Sequence, residues 1–320
     1  MKKNFTLPAV MIAVVLLVFS AHATKWRVNN TGVAGNFTTL QAAHNAASAG
    51  DTIYLESSRL SYGGLNCTKR LVIIGTGYFL DENDSTQANI AGSMAEDITF
   101  AAGSENSIIM GVIANTHIHC DADRVLFKRV YMRADVMQID GNSVVATQCY
   151  LNRIVSAIGS NFTLTNSVVF YHETSGYCIQ MWGASTGTYR NNIFCGGQSL
   201  NSAEYTNNIS TGTSGQAAAF DGSNLTVANN IAAGNQYAAY SDSNQVFVNM
   251  ATVFVNTGST DGKYKLIPGT SPAIQWGHNK VDCGIYGGPT PYIPSGMPTV
   301  PAIWYLQVNG TNVSVKAKSH

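Results

Sequence analysis

The residues best suited to chemistry lie between positions 117 and 194. One group reads His117-Ile118-His119-Cys120-Asp121-Ala122-Asp123-Arg124, with Gln138 and Asp140 one repeat further on. If Ile118 and Cys120 point inward on a strand, then His117, His119 and Asp121 share its outward side. Such a set could hold a metal or an acid–base pair. The plainer alternative is an Asp-rich turn carrying two solvated histidines. Asp121 and Asp140 fall on neighbouring repeats, roughly 4.8 Å apart if these pair as strands. That spacing suits oxygen ligation of Ca2+, and Ca2+ is the one cofactor the residues suggest.

A second group is Tyr131, Arg133, Tyr150, Asn152, Arg153, Tyr171, His172 and Phe194, with Glu173 alongside. Aromatic faces stack on sugar rings, and an arginine fork pairs with a uronate carboxylate. The row lines a glycan groove, or else it covers an exposed sheet face or lies under a loop. In the groove reading Tyr131, Tyr150 and Phe194 point outward, and removing a ring costs about 0.5 kcal/mol or little more. A β-elimination lyase needs a base near the sugar C5 and a group that neutralises the uronate. A glycoside hydrolase needs two carboxyl groups about 5–10 Å apart. The outward acids Asp121, Asp123, Asp135, Asp140, Glu173, Glu204 and Asp221 form neither set, so no catalytic residue is assigned.

These side chains need a scaffold, and a repeat supplies one. The phrase recurs as Lys128-Arg129-Val130, Thr147-Gln148-Cys149, Asn166-Ser167-Val168, Asn191-Asn192-Ile193, Asn207-Asn208-Ile209, Asn229-Asn230-Ile231 and Val248-Asn249-Met250. The spacing, roughly twenty residues, marks one supersecondary unit stacked on its neighbours. About nine residues before most of the anchors lie turns such as Asp140-Gly141-Asn142, Gly159-Ser160-Asn161 and Asp221-Gly222-Ser223-Asn224. Short alternating runs between turns read as strands. Each unit is then one rung of a parallel β-helix. Taking the third residue of each phrase as inward puts Val130, Cys149, Val168, Ile193 and Ile231 in one core column, with Tyr131, Tyr150, Val169 and Phe194 outward. Asn191, Asn192, Asn207, Asn208, Asn229 and Asn230 are read as structural. Asn tolerates the left-handed bend, and its amide can pair up the stack.

The chain opens with Lys2 and Lys3, an apolar run from Ala9 to Phe19, and Ala21-His22-Ala23. This is the pattern of a secretory signal peptide, residues 1–23, cleaved before Thr24; the apolar run is short for a membrane span. Eighteen Lys+Arg face eighteen Asp+Glu. Losing Lys2 and Lys3 leaves a slight acid excess, which is not the footprint of a nucleic-acid binder. Of six cysteines, Cys120, Cys149 and Cys195 take core places in the repeat. Cys120 is set level with Ile139 and Ile158, and Cys195 level with Met132, Leu151 and Phe170. Cys67, Cys178 and Cys283 are unassigned, and a disulfide framework is not expected. Residues 291–320 form a Pro-rich tail with short strands near Trp304–Val308 and Val313–Val315.

The two ends carry a resemblance. Phe37-Thr38-Thr39-Leu40-Gln41-Ala42-Ala43, a helix over about residues 40–48, precedes Ala49-Gly50-Asp51-Thr52-Ile53-Tyr54-Leu55. The pair resembles the N-terminal cap of right-handed parallel β-helix proteins of the pectin-lyase-like superfamily. Ser271-Pro272-Ala273-Ile274 followed by Asp282, Gly284 and Gly287-Gly288 is similar to the closing segment of exported bacterial β-helix proteins. The tail also resembles the stub that joins such proteins to a C-terminal sorting domain. Over residues 24–290 the resemblance implies an all-β, right-handed parallel β-helix with an N-terminal capping helix. It implies a secreted or cell-surface protein, periplasmic being the other option, with a polysaccharide or glycan as partner and no membrane span in the mature chain. Its role would be carbohydrate-associated, as a polysaccharide lyase or glycoside hydrolase, or as a non-catalytic surface or adhesive protein that binds glycans.

Overall fold

The computed structural model describes residues 23–32, 37–171 and 176–318. The expected signal segment before Ala23, and His172 and Glu173 of the aromatic group, lie outside the described residues. Stacked parallel strands form three long sheets, as in a parallel β-helix. The first has ten strands, from Lys25–Val28 through Thr52–Leu55 to Thr226–Ala228. The second has eight, from Met94–Ala95 to Ile231–Ala232. The third has eight, from Leu65–Cys67 to Phe220–Ser223. One rung visits the sheets in that order: Leu126–Lys128, Tyr131–Met132, Met137–Ile139. Every residue therefore sits above its counterpart one repeat earlier, which is why the sequence repeats.

Alternation decides which side chains enter the barrel. Phe127, Ala146, Leu164, Tyr189, Tyr205 and Val227 stack inward from the first sheet. Met132, Leu151, Val169 and Phe194 do so from the second, and Ile118, Cys120, Met137, Ile139 and Ile154 from the third. The helix Leu40–Ala46 is the one α-helix among the described residues. Its Thr39 hydroxyl accepts the Ala42 amide at 3.2 Å, and it buries Leu40 and Ala43 against the first rungs.

The expected single core column does not exist. Tyr150 pairs with Val168, Val168 with Ile193, Ile193 with Ile209 and Ile209 with Ile231. Val130 and Cys149 stand one place earlier. The reason lies at the bend before each of these strands, where Arg129, Gln148, Asn166, Asn191, Asn207 and Asn229 all take φ between 47° and 60°. Asn is the side chain that best tolerates that region. In two rungs Arg129 and Gln148 occupy it instead, and the Asn-based alignment slips there by one residue. A slip of one exchanges the two faces of a strand. Val168, Ile193 and Ile231 thus point out of the barrel, whereas Val169 and Phe194, expected outside, are interior.

The outward residues are buried by a different device. The parallel strands stop at Ala232, and the segment expected to continue the solenoid to residue 290 doubles back along the second sheet. Val253, Phe254, Ala273, Cys283, Ile285 and Tyr292 pack on Tyr150, Val168, Ile193, Ile209 and Ile231. The bend residues zip this strap in place. Asn229 Nδ2 donates to Trp276 O at 3.3 Å, and Asn191 Nδ2 to Asp282 O at 2.8 Å. Asn166 Nδ2 reaches Ile285 O at 2.9 Å and Gly287 O at 2.7 Å. Gln148 Nε2 meets Thr290 O at 3.3 Å, and Arg129 meets Met297 O. The end of the strap folds back on Asp261 within it, whose buried carboxylate accepts from Tyr292 Oη at 3.1 Å, the Ser295 amide at 2.7 Å and Asn83 Nδ2 at 3.0 Å.

The next residue in each bend points inward and forms a second ladder. Asn192 Nδ2 donates to Asn208 Oδ1 at 3.0 Å, Asn208 Nδ2 to Asn230 Oδ1 at 3.1 Å, and Asn230 Nδ2 to Asn244 Oδ1 at 3.0 Å. All six cysteines are free. Cys120 is level with Ile139, as expected, but Ile158 is exposed. Cys195 is level with Phe170 on the outer side, under the strap, and not in the barrel. Beyond the strap, Ala302–Asn309 and Asn312–Lys318 pair as an antiparallel hairpin.

Candidate functional site

The second sheet carries the aromatic row, and the strap covers most of it. Tyr150 keeps only 6% of its surface exposed. Its ring packs on Phe79 at 5.3 Å, Tyr131 at 5.7 Å and Phe170 at 5.1 Å. Burial pushes the phenols of Tyr131 and Tyr150 up from their ordinary range. Tyr150 is thus outward, as expected, yet it is not the surface ring the groove reading required. Phe194 is removed from the row altogether: it stacks on Tyr205 inside the barrel at 5.4 Å. Asn152 is buried, its Oδ1 turned back on the Arg153 amide at 3.0 Å. Arg153 leaves the row toward the third sheet, where its guanidinium meets Gln180 and lies 5.4 Å over the Tyr171 ring.

What stays open is a cleft of about 530 Å3 lined by Tyr131, Arg133, Phe170, Asn115, Thr116 and Thr260, with Tyr150 behind them. Arg133 is exposed, and its contact with Asn115 Oδ1 is long, 3.4 Å. The guanidinium is available to a ligand. Two carboxylates that sequence reasoning missed stand behind the rim. Glu96 accepts from Asn115 Nδ2 at 2.9 Å, and Asp97 from Thr116 Oγ1 at 2.5 Å. The hydrogen bond from Asn115 holds Glu96 below the usual range, and that from Thr116 does the same for Asp97. Asn115 and Thr116 precede His117 in the repeat and were legible as its outward neighbours. Thr260 was not, since it arrives from the returning strap.

On the third sheet Ile118 and Cys120 point inward, so His119 faces out as expected. Gln138 pairs with it in register on the next strand. His119 Nε2 lies 3.0 Å from Asp121 Oδ1 and 3.7 Å from Asp140 Oδ2. One ligand atom from each of the three falls within 4.8 Å of the others. His117 does not join them; its Nδ1 faces Asp135 at 3.5 Å. The structure therefore brings Asp121 and Asp140 together and adds an imidazole nitrogen to the expected oxygen pair.

The fold and these surfaces define a class: a solenoid of three parallel sheets, one outer face sealed by the returning chain and another left open. No family model, curated protein or solved structure matches the chain. Among the described residues no helix is long and apolar enough to cross a membrane.

Proposed function

We propose that this chain is an exported, right-handed β-helix protein of the pectin-lyase-like type that binds a polysaccharide in the cleft beside Arg133. The observation that carries this is the meeting of an exposed guanidinium with the rings of Tyr131 and Phe170 and the amide of Asn115 in one open cleft. Rings stack on sugar faces, and a free arginine fork selects a uronate carboxylate. The helix Leu40–Ala46 serves as the lid over the first rung. Export is supported by the basic start at Lys2 and Lys3, the apolar run from Ala9 to Phe19 and the Ala21-His22-Ala23 site, and a cleaved start would gain an ion pair. The Thr24 backbone nitrogen donates to Asp51 Oδ1 at 2.7 Å. Cleavage before Thr24 would place the new ammonium against that carboxylate.

Binding without turnover is the preferred form of the reading. The hydrogen bonds from Asn115 and Thr116 lower both Glu96 and Asp97, whereas the acid partner of a paired-carboxylate hydrolase has its value raised. The test is a panel of neutral and uronate-containing polysaccharides, scored for binding by calorimetry and for turnover by new reducing ends or unsaturated products. A uronate glycan should bind, and Arg133→Ala should abolish its preference over the neutral one. Failure of every glycan to bind, or a preference untouched by Arg133→Ala, would overturn the reading. Product release abolished by Arg133→Ala would replace it with an enzyme.

A further inference from the structure

We propose that His119, Asp121 and Asp140 form a binding site for a borderline divalent transition ion, of the Zn2+ type, on the open third sheet. The site is on a different sheet from the cleft and does not rest on the glycan reading. Its geometry follows from two neighbouring strands, Ile118–Cys120 and Met137–Ile139, locked in parallel register with His119 level with Gln138. Asp121 and Asp140 each follow their strand directly and so stand one above the other. Ile118, Cys120, Met137 and Ile139 are fully buried and anchor both strands, which fixes the backbone beneath the three side chains.

Three observations point to a cation. First, His119 Nε2 is shielded from solvent and makes no hydrogen bond, although Asp121 Oδ1 is only 3.0 Å away. Second, neither Asp121 nor Asp140 has a Lys or Arg ion-pair partner among the described residues; Arg124, the nearest such side chain in sequence, pairs with Asp123 at 3.7 Å. Two carboxylates on adjacent rungs without a cation repel each other. Third, Asp140 is already oriented, with Gln138 Nε2 donating to its Oδ2 and the side chain only 12% exposed. Such an outer hydrogen bond fixes a ligating carboxylate in place.

The donor set decides which ion. Ca2+ takes six to eight oxygens, and this cluster supplies few oxygens and one imidazole. Imidazole with carboxylates suits Zn2+ and its neighbours; the three donors lie within 4.8 Å of one another and would close on an ion by side-chain rotation, to ligand distances of about 2.0–2.2 Å. The ion would also tie two rungs together, so its binding appears as added stability.

The experiment uses the full mature chain, with Zn2+ and Ca2+ titrated separately by calorimetry and Co2+ as the spectroscopic probe. Zn2+ should bind one per chain and raise Tm, whereas Ca2+ should bind at least tenfold more weakly. Co2+ should give a visible spectrum without a thiolate charge-transfer band, which separates this site from the free cysteines. His119→Gln and Asp140→Asn should each abolish binding while leaving the metal-free Tm within a few degrees; Cys195→Ser should leave binding unchanged. Saturable binding that survives His119→Gln, a thiolate band, tighter binding of Ca2+, or no binding at all would each overturn the proposal. The last outcome would mean that the three groups form only an ion-pair cluster.

Discussion

Removing one amide from the inner ladder tests how the rungs are held together. Asn208 is fully buried. Its Oδ1 accepts the Asn192 amide at 2.9 Å and Asn192 Nδ2 at 3.0 Å; its Nδ2 donates to Tyr189 O at 2.9 Å and Asn230 Oδ1 at 3.1 Å. Asn208→Ala ends all four bonds. Asn192 Nδ2 still reaches Leu164 O, and Asn230 Oδ1 still accepts the Asn208 amide, so those two ends are only partly stranded. The Asn192 backbone N–H loses its acceptor. At about 1 kcal/mol net per bond the loss is about 4 kcal/mol. Asn208→Asp keeps the shape but puts an oxygen where Nδ2 faced two acceptors, and adds a buried charge. It should cost more than Asn208→Ala. Urea unfolding followed by circular dichroism gives the comparison through midpoint and slope. Exposed Asn235→Ala, the control, should stay within about 0.5 kcal/mol. If Asn208→Ala shifts the midpoint no more than Asn235→Ala does, or if Asn208→Asp is the milder change, the ladder does not carry the stability assigned to it.

Three further outcomes follow from burial and charge. Tyr150→Ala removes a ring packed between Phe79, Tyr131 and Phe170 under the strap, so it should cost about 3–5 kcal/mol, the range of a core aromatic; a thermal shift as small as that of a surface variant would show that the strap does not seal this face. Val169→Asp should prevent folding, since it places an unpaired charge inside the barrel, and soluble, cooperative melting of that variant would contradict the face assignment. Asp51 joins the first strand to the helix loop through Thr24 N at 2.7 Å, Trp26 Nε1 at 2.8 Å and Ser48 N at 2.8 Å. Burial raises its pKa, but the bonds from Trp26, Ser48 and Thr24 outweigh it and leave the folded value depressed. Its stabilisation is therefore present above the unfolded carboxyl value of about 3.9 and is lost as pH falls through the lower folded value. The Tm gap between wild type and Asp51→Asn should close below about pH 4, and a gap constant from neutral pH to pH 3 would refute this account.

The repeat, its turns, the helix near residue 40 and the outward set at His119 and Asp121 were legible in the chain because each is local. Strand alternation, positive-φ bends and stacking of like on like write themselves into residue spacing. The structural role of the asparagines was legible for the same reason, although they divide into two ladders: Asn192, Asn208 and Asn230 face inward, and Asn191, Asn207 and Asn229 hold the strap. The faces of Val168, Val169, Ile193 and Phe194 were misread because Arg129 and Gln148 stand at bends where Asn marks the register elsewhere. A slip of one residue leaves the period intact and reverses the faces.

The amino-acid sequence by itself determined the rung and the stacking of rungs, since both depend on contacts one repeat apart. Only the tertiary structure decided which faces meet water. Apolar side chains at Val168, Ile193, Ile209 and Ile231 look like barrel core from the chain alone, because hydrophobicity reports burial and not what does the burying. Here the cover is residues 245–297, far away in sequence, and its path is set by outward amides whose partners are backbone carbonyls that any residue could supply. That path hid Tyr150, left Arg133 exposed at its margin and brought Thr260 to the cleft. The open third sheet was spared, so the cluster of His119, Asp121 and Asp140 remained as the rungs alone had placed it.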